Sequence, residues 1–270
     1  MRHLDIHRQG LRALIAGGPL YIFLDYDGTL VPFSGRPQDT RTPAGTALLL
    51  RRLSSLPGCR VAVVSGRALA DVKKRVGVNG LIYVGNHGYE IAIPGKKAVS
   101  YVPAGYRPVL SGIKKDILSG VGRIKGVVLE DKGISLAVHF RLATAEGAKR
   151  AVKVFYGAVT SAVLKGAVAV KKGKKVLEIL PAGKRDKGTA VAWLLSGAVS
   201  GNLPGKQVVF YFGDDKTDED AFRELKGKGI TVCVGRKRGS QAEYYLSSPP
   251  ETVSFLRELS ALREEKICRN

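Results

Sequence analysis

The most constraining feature of the sequence is a set of short runs that are apolar at nearly every position. They read YIFLD (21–25), VAVVSG (61–66), LIYVG (81–85), VVFYFGD (208–214) and ITVCVG (230–235). Strands buried on both faces of a parallel sheet have this continuous hydrophobicity. Segments with helical periodicity lie between the runs, and this alternation predicts an α/β fold with a doubly wound, mostly parallel sheet.

The middle of the chain has a different pattern. Residues 106–183 read as helix, strand pair, helix and strand pair, and strands so close in sequence pair antiparallel. This order predicts an α+β domain inserted into the α/β core. We therefore expect a core domain formed by residues 1–105 and 184–270, with residues 106–183 as the inserted domain.

Charge and cysteine content indicate which partners, cross-links and metal sites the protein can have. The 270 residues include 44 Lys and Arg against 23 Asp and Glu, a formal charge of +21 that favours anionic partners without choosing among them. Cys59, Cys233 and Cys268 lie far apart and predict neither a disulfide framework nor a zinc site. There is no long apolar run, and the first ten residues lack the apolar block of a secretory signal, so we expect a cytoplasmic protein that does not span a membrane.

The segment LDYDGTL (24–30) ends the first apolar run and has three interpretations. Asp-Gly between apolar segments is typical of a β-hairpin. An EF-hand calcium loop also begins with Asp at positions one and three, but Leu30 and Arg36 stand where it needs Gly and Glu. In extended backbone, Asp25 and Asp27 would project to the same side, where paired carboxylates favour Mg²⁺ and, through it, a phosphate substrate.

A second acidic cluster follows a later strand. VVFYFGDDKTDEDAF (208–222) places Asp214, Asp215 and Asp218 where they could complete a metal shell. Asp218 and its neighbours could instead form an ordinary acidic helix start. We favour a metal role for Asp214, because it ends an apolar strand and has no helix to cap.

Two further segments could bind phosphate. Ser65 and the backbone N–H of Gly66 follow the second apolar run, although such a Ser-Gly pair can equally form a simple turn. Lys187, in GKRDKGTA (183–190), precedes another helix and could offset the charge of phosphate and carboxylates. Most surface lysines have no such role.

Four motifs in this order resemble the haloacid-dehalogenase superfamily of phosphotransferases: DYDGT (25–29), SGR (65–67), DKG (186–188) and GDDKTDED (213–220). The resemblance implies that Asp25 is a nucleophile that forms an aspartyl-phosphate. It implies that Asp27 is the general acid for the leaving oxygen and then the base for water. It also implies phosphate binding by Ser65, Gly66 and Lys187, and Mg²⁺ binding by Asp25, the carbonyl of Asp27, Asp214, and the supporting Asp215 and Asp218.

Within that superfamily the chain resembles the trehalose-6-phosphate phosphatase family in GNHGYE (85–90), LEDKGISLAVHFR (129–141) and LEILP (177–181). The insert of this family is a cap, or lid, that closes over the sugar. The substrate-binding residues implied are Arg67 and His87 on the core, and Glu130, Lys132, His139, Arg141 and Glu178 on the insert. Cross-strand ion pairs on a solvated face are the alternative for Glu130, Lys132, His139 and Arg141, and His139 could also be a core histidine. Leu180 departs from the family pattern, which has a basic residue before the proline.

The resemblance implies a magnesium-dependent phosphatase that converts trehalose 6-phosphate to trehalose and phosphate. A related phosphatase for sucrose, mannosylglycerate or glucosylglycerate phosphate would use the same core with a different lid. A nucleic-acid-binding protein is the remaining alternative, disfavoured because aromatic residues make up 7% of the chain and no known binding motif occurs. The expected partner is therefore a small sugar phosphate, bound by a monomer, with no nucleic acid and no membrane.

Overall fold

The computed structural model describes residues 1–5, 11–33, 40–183, 185–198 and 206–267. The chain divides into two compact units, which we call the core unit (Met1–Val99 and Arg185–Asn270) and the cap unit (Ser100–Lys184). These limits lie within a few residues of the predicted domain limits, and the assignment of independent domains stays a prediction. Arg36 and Cys268, which entered the sequence argument, lie outside the described residues.

Strands and helices alternate through both ends of the described chain. The strands are β1 (Arg2–His3), β2 (Leu20–Leu24), β3 (Cys59–Val64), β4 (Ile82–Gly85), β5 (Glu90–Ala92), β6 (Val99–Ser100), β7 (Val128–Asp131), β8 (Leu136–His139), β9 (Val168–Gly173), β10 (Val176–Pro181), β11 (Val208–Gly213), β12 (Ile230–Val234) and β13 (Tyr244–Leu246). The helices are α1 (Leu11–Gly17), α2 (Ala44–Ser55), α3 (Leu69–Val76), α4 (Tyr106–Val121), α5 (Ala145–Leu164), α6 (Lys187–Trp193), α7 (Glu219–Glu224) and α8 (Pro249–Ile267). None of these helices is long and apolar enough to cross a membrane, a statement limited to the described residues.

The core unit is built on a sheet with the strand order β1-β13-β12-β11-β2-β3-β4-β5-β6. Neighbouring strands from β1 to β4 in this order run parallel, and β5 pairs antiparallel with β4. The predicted α/β fold with a mostly parallel sheet is confirmed. Because Leu24 lies opposite both Phe212 and Val63, the residues that follow these three strands reach the same edge of the sheet.

Both faces of the sheet are covered, which explains the continuous apolar runs. On one face, Ile22 and Phe210 belong to a buried cluster that includes Leu50 of α2 and Leu256 of α8. On the other face, the ring of Tyr211 meets Phe222 of α7 edge to face, with ring centroids 5.7 Å apart. In a strand that lies between two such layers, apolar residues at odd and even positions are both buried, and both stabilise the fold.

The cap unit has its own sheet and its own core. The four strands pair antiparallel in the order β7-β8-β10-β9, as the close spacing of the strand pairs predicted. Helices α4 and α5 bury Ile117 and Phe155 in a cluster with Val138 and Ile179 of the sheet. Helix α5 begins at a cap in which Thr144 Oγ1 accepts the N–H of Gly147 at 3.1 Å.

Candidate active site

Three carboxylates from distant parts of the chain meet at one edge of the core sheet. Asp25 follows β2, Asp214 follows β11, and Asp218 precedes α7. One oxygen of each lies within 4.8 Å of the oxygens of the other two. The backbone supports the approach, since the N–H of Asp25 donates to the carbonyl of Phe212 at 2.9 Å. These contacts bring the two predicted acidic clusters together.

The DYDGT segment does not form a hairpin turn. Strand β2 lies between β11 and β3 and runs parallel to both, so the hairpin interpretation is wrong. The segment instead forms a loop in which the N–H of Gly28 donates to the carbonyl of Val31 at 2.8 Å. Gly28 has a φ of +89°, and a Cβ there would lie 2.4 Å from Cγ of Asp214. Glycine is therefore needed both for its backbone conformation and for the approach of the Asp214 carboxylate.

Replacement of Gly28 by alanine tests this close approach. We expect Gly28→Ala to lower the free energy of unfolding by about 1–3 kcal/mol, because the residue is strained at positive φ and its methyl group meets a carboxylate. Gly95→Ala is the matched control, since Gly95 has a φ of +74° with no atom within 4 Å of an added Cβ. Urea denaturation of both variants measures the difference. Equal losses would show that the contact with Asp214 adds nothing to the backbone strain.

Lys187 joins two of the three carboxylates. Its Nζ donates to Asp25 Oδ1 at 2.6 Å and to Asp218 Oδ1 at 2.7 Å, and its side chain is only 2% exposed. The lysine begins helix α6, whose preceding Asp186 accepts the N–H of Thr189 at 2.7 Å in a capping box. Although burial alone lowers the pKa of Lys187, the two carboxylates outweigh that effect and raise it. Lys187 is therefore a fixed positive charge inside the cluster.

Asp218 is the most completely hydrogen-bonded member of the cluster. Its Oδ1 also accepts the hydroxyl of Tyr211 at 2.8 Å, and its Oδ2 accepts the N–H groups of Asp214 at 3.0 Å and Asp215 at 2.9 Å. Asp218 is the N-cap residue of α7, whose first turn is acidic, but its side chain makes no capping hydrogen bond there, and its metal role stays a prediction. Asp218 thus holds both Lys187 and the loop that carries Asp214.

The three carboxylates also affect one another's protonation. Burial raises the pKa of Asp25 well above its usual value, Lys187 opposes this, and Asp218 and Asp214 raise it again. Burial and Asp218 raise the pKa of Asp214 to about 6, against the lowering effect of Lys237 and Lys187. The buried Oδ1 of Asp214 accepts no hydrogen bond from the described residues. Clustered carboxylate oxygens with an unsatisfied buried acceptor fit a hard divalent cation.

The carboxylates of Asp27 and Asp215, also predicted as metal residues, make hydrogen bonds to groups outside the cluster. Asp27 accepts Nε and Nη2 of Arg67 on its two oxygens, each at 2.6 Å. Asp215 is exposed, and its Oδ1 accepts the N–H of Lys216 at 2.6 Å. The predicted metal roles of the Asp27 carbonyl and of Asp215 stay predictions.

The loop after β3 carries Ser65 and Gly66 to the same edge. The N–H of Ser65 donates to the carbonyl of Val84 at 2.9 Å, and the N–H of His87 donates to the carbonyl of Ser65 at 3.1 Å. A Cβ on Gly66 would lie 2.5 Å from Cε1 of His87, so the imidazole packs directly against the glycine. Asn86 and His87 both have positive φ, 46° and 56°. An unusual backbone conformation therefore places His87 beside the predicted phosphate loop.

The predicted sugar-binding residues of the cap unit form two pairs. Lys132 Nζ donates to Glu178 Oε1 at 2.7 Å, and Ser135 Oγ donates to the same oxygen at 3.1 Å. Glu130 and His139 lie 2.9 Å apart on adjacent strands, and the hydrogen bond from His139 lowers the pKa of Glu130. The side chain of His139 is 41% exposed, so it is not a core histidine.

Arg141 follows β8 and is exposed. The Glu130–His139 pair matches the cross-strand ion-pair interpretation, whereas Lys132 follows β7, which is not a neighbour of the strand that carries Glu178. Sugar binding by these residues stays a prediction. Sequence reasoning missed Ser135, which carries no motif signal of its own.

Comparison with known proteins identifies the family. A family model described as trehalose-phosphatase matches residues 23–250. The trehalose-phosphate phosphatase of Mycobacterium avium (strain 104) is 36% identical over 254 residues, which cover 91% of this chain and 63% of the relative. That of Mycobacterium tuberculosis (strain H37Rv) is 35% identical over 261 residues, 94% of this chain and 64% of the relative. The chain thus spans less than two thirds of the length of these curated relatives.

Solved structures agree with the fold. The C-terminal domain of C. albicans trehalose-6-phosphate phosphatase superposes with a TM-score of 0.77 over 96% of this chain and 98% of that chain, at 23% sequence identity. At this identity the likeness establishes the architecture alone. Because the family model runs from the second half of β2 to the start of α8, it includes the three carboxylates, Lys187 and the whole cap unit. By this match the chain belongs to the trehalose-phosphatase family, within the haloacid-dehalogenase superfamily that its motifs predicted.

Proposed function

We propose that this protein is a magnesium-dependent phosphatase that hydrolyses trehalose 6-phosphate to trehalose and phosphate. The observation that carries the proposal is the cluster of Asp25, Asp214 and Asp218, in which the ammonium of Lys187 binds Asp25 and Asp218. Membership of the trehalose-phosphatase family supports the choice of substrate. The proposed cofactor is Mg²⁺, held by Asp25, the Asp27 carbonyl and Asp214 with support from Asp215 and Asp218.

Asp25 acts as the nucleophile in the proposed reaction. Lys187 Nζ holds Oδ1 of Asp25, which leaves the second oxygen to attack the phosphorus atom. The new bond joins this oxygen to phosphorus while the bond from phosphorus to the sugar oxygen breaks, giving an aspartyl-phosphate. A carboxylate attacks a phosphate anion only where positive charge screens the two, and Mg²⁺, when bound, would supply that screening together with Lys187.

Asp27 handles the proton in both half-reactions. It gives a proton to the departing sugar oxygen, because a sugar alkoxide is a poor leaving group. It then takes a proton from the water that attacks the aspartyl-phosphate, which releases phosphate and restores the Asp25 carboxylate. Asp27 lies two residues after Asp25, and the hydrogen bonds from Arg67 fix the position of its carboxyl group.

Phosphate and sugar are bound by different groups in this proposal. Ser65 Oγ, the N–H of Gly66 and Lys187 hold the phosphoryl oxygens at the carboxyl end of the sheet. The proposed sugar contacts are Arg67 and His87 on the core unit, and Glu130, Lys132, His139, Arg141 and Glu178 on the cap unit. The two charged pairs of the cap unit offer donors and acceptors of the kind that sugar hydroxyls require.

A substrate panel tests the proposed activity. We expect the protein with Mg²⁺ to release phosphate from trehalose 6-phosphate with a kcat/KM at least about tenfold above that for sucrose, mannosylglycerate or glucosylglycerate phosphates, because a hydroxyl-matched site rejects mismatched sugars. EDTA should abolish release, and excess Mg²⁺ should restore it. A higher kcat/KM for another sugar would reassign the substrate, and activity that survives EDTA would contradict the cofactor.

The same preparation tests the other expectations. Sedimentation of the protein tests the monomer prediction, and binding to a nucleic-acid duplex at several salt concentrations tests the role disfavoured above. Affinity that arises from charge alone falls steeply with salt and does not require Asp25.

A further inference from the structure

A chain of alternating charges leads from Asp27 through Arg67 to two residues of helix α3. Arg67 donates to both oxygens of Asp27, and its Nη1 donates to Asp71 Oδ2 at 3.1 Å. Arg75 donates its Nε to the same oxygen of Asp71 at 2.7 Å and its Nη1 to the carbonyl of Thr40 at 2.7 Å. Asp71 and Arg75 are spaced by four on α3, so the helix brings them together, and Arg67 lies two residues before the helix begins. The carboxylate of Asp27 is thereby connected to the backbone before α2.

The guanidinium of Arg67 is also fixed from a second direction. Its Cζ lies 5.7 Å from the centre of the Tyr26 ring, and the hydroxyl of Tyr26 accepts Thr42 Oγ1 at 3.3 Å. The side chain of Arg67 is 11% exposed, against 35% for Asp71. A planar guanidinium that is held by a ring and by two carboxylates fixes both the position and the plane of the carboxylate that it binds.

Asp27 needs such support because few backbone hydrogen bonds of a regular sheet fix its position. It follows the end of β2, in a loop that turns at Gly28 with positive φ, and its local sheet pairing is an isolated bridge to Val31. A proton donor in a loop loses alignment with the leaving oxygen unless its side chain is held. Misplacement by about 1 Å is enough to lower a rate by roughly 10²-fold.

We infer that Arg67 and Asp71 are positioning residues that align the Asp27 carboxyl with the leaving oxygen of the substrate. The inference rests on the proposed function, in which Asp27 is the general acid. For Arg67, this role replaces the sugar contact that the family resemblance implied and that was proposed above. Asp71 acts through Arg67: it neutralises the guanidinium from the far side and, through Arg75, ties it to the chain before α2.

The leaving group distinguishes this role from sugar binding and from simple stability. Phenyl phosphate and 4-nitrophenyl phosphate have nearly the same shape and no sugar hydroxyls. Phenolate needs a proton as it leaves, whereas 4-nitrophenolate spreads its charge into the nitro group and leaves without one. A misaligned Asp27 therefore slows reaction with phenyl phosphate and trehalose 6-phosphate but spares 4-nitrophenyl phosphate. The parameter to compare is kcat/KM, which excludes the later hydrolysis of the aspartyl-phosphate.

The experiment compares Asp71→Asn and Arg67→Lys with the parent on all three substrates in the presence of Mg²⁺. We expect kcat/KM to fall about 10- to 100-fold for trehalose 6-phosphate and phenyl phosphate, and by less than about threefold for 4-nitrophenyl phosphate. Glu264→Gln is the matched control, because Arg52 donates Nε and Nη2 to the two oxygens of Glu264 in the same fork geometry. This control should leave all three rates unchanged.

Each other outcome overturns the inference in a recognisable way. Equal losses on the three substrates would show a structural role, and a loss confined to trehalose 6-phosphate would show sugar binding. Unchanged rates would show that the network does not act on Asp27. Circular dichroism checks the fold of both variants, and Arg67→Lys, which keeps the charge but not the fork, decides the matter if Asp71→Asn does not fold. A parent that hydrolyses the phenyl phosphates but not trehalose 6-phosphate would contradict the proposed substrate and leave this comparison intact.

Discussion

Replacement of Asp25 by asparagine should reduce phosphate release from trehalose 6-phosphate by at least about 10⁴-fold, since nucleophile removal in comparable enzymes has effects of this size. An amide oxygen does not form the acyl-phosphate that the proposed mechanism requires. Release of inorganic phosphate under saturating Mg²⁺ measures the loss. A variant with activity near that of the parent would refute the assignment of Asp25 as nucleophile.

The same substitution should not unfold the protein. In the absence of metal, Asp25 lies against two other carboxylates, and burial with Asp218 and Asp214 raises its pKa despite Lys187. Asparagine keeps the volume and removes one of the repelling charges, so we expect the melting temperature in EDTA to match or exceed that of the parent. In Mg²⁺ the parent should gain more stability than the variant, because the ion binds the native state of the parent more tightly.

Replacement of Lys187 by methionine should have the opposite effect on stability. Lys187 is the shared partner of Asp25 Oδ1 and Asp218 Oδ1, and all three side chains are buried. Without the ammonium, neighbouring carboxylates remain in a site that excludes water, and we expect a loss of about 3–5 kcal/mol in the free energy of unfolding. Urea denaturation in EDTA measures this loss.

Magnesium provides an internal check on that result. If the destabilisation arises from unpaired carboxylates, Mg²⁺ should recover part of it in Lys187→Met, because the ion supplies the missing positive charge. Lys228→Met is a suitable control: Lys228 pairs with Glu224 at 3.0 Å, but its side chain is 69% exposed. An exposed pair of this kind should contribute no more than about 1 kcal/mol. Equal losses for the two lysines would contradict a charge-compensating role for Lys187.

The core of the fold could be predicted from the sequence because its central strands are buried on both faces. Strands β2, β3, β4, β11 and β12 are continuous apolar runs, and the parallel arrangement follows from the helices between them. The edge strands could not be predicted in this way. Strand β1 has two residues, Arg2 and His3, and β13 has three, too few for a periodic signal. Their positions depend on tertiary pairing.

In the candidate site, too, residues marked by a local motif could be predicted, and contacts between residues far apart in the sequence could not. Asp25, Asp214 and Lys187 could be proposed from the sequence, since each ends a strand or starts a helix. The hydroxyl of Tyr211 could not, because its apolar run reads as ordinary strand and its partner Asp218 becomes apparent only in the folded chain. The bond from Arg67 to Asp27 likewise joins residues forty positions apart, and no local pattern encodes it.

The sequence distance between the two halves of the core unit has a consequence for folding. Asp25 and Lys187 are 162 positions apart, and the whole cap unit is synthesised between them. Contacts of such long range form late, since the entropy of closing the loop must be overcome before they contribute. The cap unit, whose strand and helix pairs are near neighbours in the chain, should acquire structure first. A nascent or truncated chain that ends before β11 lacks Asp214 and would therefore be unable to form the proposed metal site, so we expect activity only once the last third of the polypeptide is present.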